Sequence, residues 1–406
     1  MSNYDDIRPY NDDEASAVLR RVIADNEFID LVGGLRFPLW YSRLRWLLRP
    51  LVRHHFRRKI RDLRSIEEVQ LVVEQYVERM LEHTTTDFSV VGLNKHSLAT
   101  PHLFISNHRD ITLDPALTNY AIHHEGGDTQ RIAIGDNLLS KPYASDLMRL
   151  NKSFIVRRNI SKPRELLASL KILSRYIWHS LHVDNENVWI AQREGRAKNG
   201  MDRTEPAIIK MLAIARPKEL GFADYINSLR IVPVSISYEF DPCDALKAHE
   251  LHQLSENRGY EKAEHEDLAS IGLGITGQKG RVSLVFGDVL ETRADNADAV
   301  ARELDQQIVR NYQLQVTNII AYRRLYGNEA WEQARAVLAA SEPHHGMPEV
   351  SAASEHSFAE RIAAIEAEDR DMALHMYANP VLHKLYFVDA ATHPLPDSLG
   401  NLAGSD

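Results

Sequence analysis

Residues 101–124 read PHLFISNHRDITLDPALTNYAIHH and combine an apolar run, a polar turn and a helix candidate. The run LFI at 103–105 predicts a buried strand, and residues 116–124 are the helix candidate. Asp114 followed by Pro115 matches an N-cap residue and the first helical position. The segment therefore predicts a strand that turns into a helix, with a carboxylate at the turn.

Outward from this segment, further apolar runs alternate with helical stretches. Strands that alternate with helices predict an α/β sheet covered on both faces. The other runs are SVVGL at 89–93, RIAIG at 131–135, SFIVRR at 153–158, NVWIAQ at 187–192, RIVPVSISYEF at 230–240 and RVSLVFGDVL at 281–290. The helices predicted between them cover 164–181, 206–215 and 245–254.

Helical patterns flank this α/β region on both sides. The first 30 residues predict a polar lead-in with one short helix, and a helix over 66–81 opens with the capping-box pair Ser65 and Glu68. Beyond the last strand, apolar residues recur at helical spacing from 300 to 319. Gly327 is a predicted helix end, residues 341–356 a loop, and 358–376 a last helix.

These patterns divide the chain into four predicted regions. The first is helical, basic and amphipathic, the second is the α/β domain, the third is helical, and the fourth is a mobile tail. Their predicted bounds are 1–87, 88–292, 293–390 and 391–406.

Composition excludes several classes of protein. The 406 residues are 44% hydrophobic and 26% charged, as in an ordinary folded protein, and the net charge of −9 argues against a nucleic-acid binder. The single cysteine, Cys243, excludes an internal disulfide, a cysteine-ligated zinc and a C-x-x-C pair, and fits a reducing compartment. The N-terminus has no signal-peptide pattern, and no apolar run is long enough to span a membrane. We expect a cytoplasmic protein that is peripheral or monotopic on the cytoplasmic face of the membrane.

The segment from Leu31 to Arg61 departs from this acidic average. It holds nine bases and no acid, interleaved with Leu, Phe and two tryptophans, Trp40 and Trp46. This mixture is typical of a segment that lies at an anionic membrane surface. A basic helix packed on an acidic neighbour, or an RNA-contacting arm, would give the same pattern. The bases are Arg36, Arg43, Arg45, Arg49, Arg53, Arg57, Arg58, Lys59 and Arg61.

His108 with a nearby carboxylate forms a candidate general base. The acid fixes the tautomer of the imidazole and stabilises the imidazolium that forms. The turn lies after a strand, where open α/β sheets bind their ligands. Taken singly, Asp114 could be only a helix cap and His108 only a solvated loop residue.

The segment FISNHRDITLDP resembles the first motif of the glycerol-3-phosphate and 1-acylglycerol-3-phosphate acyltransferase superfamily. Three later blocks are similar to its other motifs and come in the same order, and FGDVL at 286–290 is similar to its closing strand. The blocks are SFIVRR at 153–158, VWIAQREGRAKNG at 188–200 and RIVPVSISYE at 230–239. The resemblance covers about 88 to 292 and implies a mixed sheet flanked by helices.

Two spacings depart from the family pattern. The family places four residues between His and Asp, which would put the acid at Leu113. We favour Asp114 as the partner of His108 and keep Asp110 as the alternate. In the third motif, Arg196 follows Glu194 and Gly195 directly, so either Arg196 or Lys198 could take the role of the family's arginine.

The resemblance implies direct acyl transfer from an acyl thioester, acyl-CoA or acyl carrier protein, to a hydroxyl of glycerol-3-phosphate or a lysophospholipid. His108 would deprotonate the hydroxyl, and backbone N–H groups at the helix start near Asp114 would hold the oxyanion. No metal and no cofactor beyond the acyl donor is expected. The predicted substrate-binding residues are Arg157, Arg193, Glu194, Gly195, Arg196 and Lys198, of which the cations would hold the acceptor phosphate and Glu194 would hydrogen-bond the loop.

Two other classes of function fit the same residues. One is a non-catalytic lipid-binding protein of this fold, suggested by the irregular His–Asp spacing. The other is a thioesterase or lipid hydrolase in which His108 activates water. An acyltransferase with a non-glycerol acceptor is a nearer alternative, because nothing in the sequence identifies the acceptor.

Overall fold

The computed structural model describes residues 4–37, 39–139, 141–158, 160–256, 259–260, 266–341 and 346–395. The strands are β1 Thr85–Val91, β2 Leu103–Ser106, β3 Arg131–Gly135, β4 Ser153–Val156, β5 Val188–Ala191, β6 Ile231–Tyr238 and β7 Gly280–Phe286. The first helices are α1 Asp12–Ala24, α2 Asn26–Arg36, α3 Tyr41–Ile60, α4 Ile66–Thr84, α5 Leu113–His124, α6 Pro142–Leu150, α7 Pro163–His182 and α8 Pro206–Ala213. The remaining helices are α9 Phe222–Ser228, α10 Asp244–Ser255, α11 Glu266–Thr276, α12 Ala297–Asn311, α13 Val316–Tyr326, α14 Asn328–Ser341, α15 Ala352–Ala363 and α16 Arg370–Val388.

The chain forms two compact units. One comprises Met1–Glu78 and Gln130–Tyr176, and the other comprises Arg79–Thr129 and Ile177–Asp406. The predicted α/β fold with a mixed sheet and helical regions at both ends is confirmed, and every predicted apolar run overlaps a strand. The four predicted regional bounds stay a prediction, and the predicted mobile tail lies outside the described residues from 396 onward.

In the second unit, five strands form a mixed sheet in the order β1, β7, β6, β2, β5. β7 pairs parallel with β1 and antiparallel with β6, and β2 pairs parallel with both β6 and β5. Every residue of β2 and β6 is buried, so these two strands form the centre of the sheet. Because β2, β5 and β6 run parallel, the residues that follow them lie at one edge of the sheet.

The first unit packs helices α1, α2, α3 and α6 around one apolar cluster. That cluster includes Val18, Val22, Ile29, Tyr41 and Leu150. The parallel pair β3 and β4 also belongs to this unit. The lead-in region folds as two helices instead of the single short helix predicted, because the Asp25 side chain accepts the N–H groups of Glu27 and Phe28 and so starts α2 directly after α1.

A buried lysine ends α12 and breaks the helix predicted over 300–319. Lys384 donates to the carbonyl oxygens of Val309, Arg310 and Tyr312, the last carbonyls of the helix, at 3.1, 2.7 and 2.9 Å. Gln315 then caps α13 with a capping box. The apolar spacing continues across the break, so the sequence pattern conceals it.

The last predicted helix, over 358–376, is also two helices. Arg370 donates to the carbonyl oxygens of Ala363 and Ile365 at 2.7 and 2.9 Å, where α15 ends. Asp369 is the N-cap residue of α16, which follows. The predicted capping box of Ser65 and Glu68 is confirmed, with both reciprocal hydrogen bonds at 3.1 Å, and so is the helix end at Gly327.

Across the described ranges, every helix is too short or too polar to cross a membrane. The segment 31–61 includes the end of α2 and all of α3. It is therefore helical and lies within the first unit.

Candidate active site

His108 lies in the loop between β2 and α5, where its ring contacts Asp114. The Nδ1 atom of His108 is 2.9 Å from Oδ2 of Asp114, and 14% of the His108 side chain is exposed while that of Asp114 is fully buried. The Trp189 ring meets the His108 ring edge to face, with the centroids 6.2 Å apart. The arrangement holds the imidazole by one nitrogen and leaves Nε2 as its other proton-transfer atom.

Four donors surround the Asp114 carboxylate. Its Oδ2 accepts the backbone N–H groups of Arg109 and Asp110 at 2.6 and 2.9 Å, in addition to the contact with His108. Its Oδ1 accepts the hydroxyl of Tyr238 at 2.9 Å. Burial and the charge of Asp114 raise the pKa of Tyr238 well above 10, so its hydroxyl stays a donor. These donors fix the position of the Asp114 carboxylate beside His108.

Asp110 has a different position and different partners. Its Oδ1 accepts the backbone N–H groups of Thr112 and Leu113, each at 2.9 Å. Burial, and then the charge of Asp114, raises the pKa of Asp110. Asp110 therefore holds the turn before α5, while Asp114 is the acid that contacts His108.

One prediction about this turn is wrong. The N-cap of α5 is Thr112, so Asp114 is the second residue inside the helix and not its cap. Four backbone N–H groups near the helix start, where an oxyanion is predicted to bind, donate to carboxylates: those of Arg109 and Asp110 to Asp114, and those of Thr112 and Leu113 to Asp110. The oxyanion site stays a prediction.

Buried polar groups join the end of β2 to neighbouring segments. Asn107 donates to the carbonyl oxygen of Ile236 on β6 at 2.9 Å and accepts the Ile236 N–H at 2.8 Å. Asn107 and Arg109 both donate to Oδ2 of Asp202, at 3.1 and 2.6 Å. The guanidinium of Arg109 also lies 5.2 Å from the centre of the Tyr312 ring. This network fixes the backbone on both sides of His108.

The loop after β5 lies directly against His108. The N–H of Ala197 donates to the carbonyl oxygen of His108 at 2.7 Å. Gly195 has a φ of 72°, a left-handed conformation that glycine adopts without strain, and this allows the loop to turn. The predicted third motif and the predicted base are thus adjacent.

Arg196 is the most buried of the predicted phosphate-binding cations in this unit. Its Nη2 donates to the hydroxyl of Ser270 at 3.3 Å, and only 7% of the residue is exposed. Its Nη1 is buried and has no hydrogen-bond acceptor among the described residues. A buried guanidinium with an unused donor is costly, since donors removed from water need partners.

The other predicted substrate-binding residues have protein partners. Lys198 forms an ion pair with Glu250 on α10. Arg193 donates to the carbonyl oxygen of Glu194 at 3.2 Å and lies 3.8 Å from Glu205, while Glu194 is exposed.

Arg157 lies in the first unit, just after β4. Nearly half of its side chain is exposed, and its Nη2 is 3.3 Å from Asp6. The residues that contact His108 belong to the second unit.

Sequence reasoning missed Tyr238 and Lys247, which both contact the first-motif turn. Tyr238 is the last residue of β6, within the fourth motif, and the parallel pairing of β6 with β2 brings it to Asp114. Lys247 on α10 donates to the carbonyl oxygen of Arg109 at 2.6 Å and forms an ion pair with Asp241. The position of Tyr238 at the end of a strand was a usable signal, whereas nothing local marks Lys247.

Cys243 is buried and does not resemble a nucleophile. Burial raises the pKa of its thiol to about 11, and its Sγ lies 3.5 Å from the carbonyl oxygen of Ser270. A thiol with this pKa holds its proton at neutral pH, so it does not supply the thiolate that an acyl-cysteine intermediate needs.

The residues around His108 lie in a stretch of the chain that is similar to a known protein family. Residues 87–237 match the family model described as Acyltransferase, a span that contains His108, Asp114 and Arg196. No curated protein matches the chain. Among solved structures, the chain is similar to the 1-acyl-sn-glycerophosphate (LPA) acyltransferase of Thermotoga maritima, with 13% identity over 73% of this chain and 93% of that one and a TM-score of 0.36.

Proposed function

We propose that this protein transfers an acyl group from an acyl thioester, acyl-CoA or acyl carrier protein, to a hydroxyl of glycerol-3-phosphate or of a lysophospholipid such as 1-acylglycerol-3-phosphate. The observation that carries the proposal is the 2.9 Å contact between His108 Nδ1 and Asp114 Oδ2 within the acyltransferase domain. Imidazole held by a buried carboxylate is the arrangement that removes a proton from a hydroxyl.

The proposed reaction uses His108 first as base and then as acid. Nε2 takes the proton of the acceptor hydroxyl while the hydroxyl oxygen attacks the thioester carbonyl carbon. The tetrahedral intermediate then collapses, the C–S bond breaks, and Nε2 returns the proton to the departing sulfur. Asp114, held in place by its contacts with three further donors, orients the imidazole and stabilises the imidazolium between the two steps.

Arg196 is the preferred candidate for the acceptor phosphate. Its Nη1 has no acceptor among the described residues, and the N–H of the next residue, Ala197, binds the His108 carbonyl oxygen. A phosphate oxygen would supply a charge-assisted partner for this guanidinium. Lys198 is the second candidate, since a phosphate would have to compete with Glu250 for it.

The exposed face of α2 and α3 supports association with an anionic membrane surface. Trp46 is 77% exposed and Trp40, in the connection between the helices, is 60% exposed. Asp30 pairs with Arg45 and Arg49, so part of the basic charge is neutralised within the first unit. We assign the tryptophans, more than these arginines, to contact with lipid.

The experiment that tests the function incubates purified protein with a labelled acyl-CoA or acyl carrier protein and a panel of acceptors, with products identified by mass spectrometry. We expect a new acyl ester with wild type, its loss in His108→Ala, and its retention in His356→Ala, an exposed histidine on α15. Ester formation that survives His108→Ala would overturn the proposed base. Free fatty acid as the only product would favour the hydrolase, and lipid binding without turnover would favour the non-catalytic alternative.

A further inference from the structure

A second cluster of titratable side chains joins α10 to the start of α16. His249 and His252 are three residues apart on α10, so they lie on one face of the helix. The Nδ1 atom of His249 is 3.0 Å from Oδ2 of Asp369, and that of His252 is 2.7 Å from Oδ1. One carboxylate therefore contacts two imidazoles, one with each oxygen.

Asp369 is buried, and among the described residues neither lysine nor arginine pairs with it. Only 2% of the residue is exposed, and its ion pairs within the described ranges are those with His249 and His252. A buried carboxylate requires a compensating charge or several donors. Two imidazoles supply a full positive charge only when one of them is protonated.

Glu368 completes a set of possible metal ligands. One ligand atom from each of His249, Glu368 and Asp369 lies within 4.8 Å of the others. Tetrahedral zinc holds nitrogen and oxygen ligands at about 2.0–2.2 Å, which places ligand atoms roughly 3.3 Å apart. The 3.0 Å between His249 Nδ1 and Asp369 Oδ2 is close to that spacing.

We propose that His249, Glu368 and Asp369 bind one divalent transition-metal ion of the Zn²⁺ class. His249 ligates through Nδ1 and Asp369 through Oδ2, while Oδ1 of Asp369 keeps its hydrogen bond from His252. Carboxylates that ligate a metal are usually hydrogen-bonded by a neighbouring group in this way. Mixed imidazole and carboxylate ligands favour zinc over magnesium or calcium, which prefer oxygen alone.

The metal would stabilise the helix that supports the first-motif turn. The same helix α10 carries Lys247, which donates to the carbonyl oxygen of Arg109, and Glu250, which pairs with Lys198. Tying α10 to α16 would therefore hold these supports in place. The role is structural, since the ligands are distinct from the residues that contact His108.

The test is zinc binding by the full-length protein after dialysis against a chelator, measured by competition with a chromophoric zinc indicator. We expect one Zn²⁺ per chain, an affinity at least tenfold weaker in His249→Ala and in Glu368→Gln, and a zinc-dependent rise in the thermal unfolding midpoint of wild type. His249 is 43% exposed on its side chain and Glu368 is exposed, so both variants are expected to fold.

His375→Ala is the matched control. This histidine lies on α16, and its ion pair among the described residues is with the exposed Asp371, at 3.6 Å. Wild-type affinity in this variant, with loss in the other two, supports the site. The absence of saturable zinc binding by wild type, or equal affinity in all four proteins, would overturn it, and Asp369 would then be a carboxylate held by hydrogen bonds alone.

Discussion

The Tyr238 hydroxyl donates a hydrogen bond of 2.9 Å to Oδ1 of Asp114, the carboxylate oxygen that His108 does not contact. The two side chains thus hold one buried carboxylate from opposite sides. A tyrosine at the end of β6 therefore influences a histidine that follows β2, although the two do not touch. It acts as a positioning residue, because its only proposed effect is through Asp114.

Replacing Tyr238 by phenylalanine removes this donor and little else. We expect the rate of acyl transfer to fall roughly tenfold, since a hydrogen bond to a charged group contributes about 1.5–3 kcal/mol. An Asp114 carboxylate with one donor fewer favours imidazolium more strongly, so the acidic limb of the pH–rate profile should move to higher pH. Tyr322→Phe, in the apolar cluster of the C-terminal helices, is the control. A lower rate with an unmoved profile would indicate only a structural role.

Asp114→Asn and Asp110→Asn separate the two candidate acids. We expect Asp114→Asn to lower acyl transfer roughly 10³-fold, because an amide cannot hold the tautomer or offset the imidazolium charge. Asp110→Asn should retain activity within a few fold, since the amide oxygen can still accept the N–H groups of Thr112 and Leu113. Steady-state kinetics with thermal unfolding of both variants is the measurement. The reverse order of losses would assign the role to Asp110.

The strands were predictable because each is a short run of apolar residues, and such a run indicates a buried strand without knowledge of distant contacts. β6 is buried along its whole length and reads as a continuous apolar and small-residue run around Pro233. The sequence pattern alone could not decide whether Asp110 or Asp114 contacts His108. It depends on the turn that Asp110 makes with two N–H groups and on the direction in which the first turn of α5 points the Asp114 carboxylate.

Helix ends and remote partners were hidden for a different reason. The break after α12 depends on Lys384, which is more than 70 residues away along the chain. Lys247 reaches the Arg109 carbonyl from 138 residues away. Non-local contacts of this kind leave no period or spacing in the sequence near the feature they control.

Arg196→Gln tests the proposed phosphate contact. We expect the KM for glycerol-3-phosphate or lysophosphatidate to rise roughly 10- to 100-fold, as is typical for loss of a charge-assisted hydrogen bond. With an acceptor that has no phosphate, such as a monoacylglycerol, we expect the KM of the variant to be close to that of wild type. Arg193→Gln serves as the comparison, because Arg193 already lies near Glu205. An equal loss with both kinds of acceptor would contradict the assignment.

A Trp40→Ser, Trp46→Ser double variant tests membrane association without disturbing the buried core of the first unit. We expect its affinity for phosphatidylglycerol vesicles to fall roughly tenfold or more, since two exposed rings lose their burial in lipid. Trp178→Ser is the control, because Trp178 is partly exposed in the other unit and stacks on His182. Cosedimentation with the vesicles at increasing salt concentration measures the electrostatic contribution to binding that remains in the double variant. Unchanged binding by the double variant would exclude these tryptophans as the lipid contact.

Asp305 on α12 predicts a pH dependence of stability. Burial, together with the nearby charge of Asp202, raises its pKa to about 7, although its Oδ1 accepts the Thr204 N–H at 2.6 Å. In the unfolded chain an aspartate has a pKa of about 3.9, so between about pH 4 and pH 7 the folded state holds a proton that the unfolded state has lost. The free energy of unfolding should therefore fall as the pH rises through this window, by up to about 1.4 kcal/mol per pH unit from this group.

Asp305→Asn should lack this component and gain stability relative to wild type with rising pH. Asp298→Asn, at an exposed position on the same helix, should follow wild type. Urea unfolding from pH 4 to pH 8 measures all three, and parallel curves for wild type and Asp305→Asn would show that Asp305 is already ionised in the folded protein.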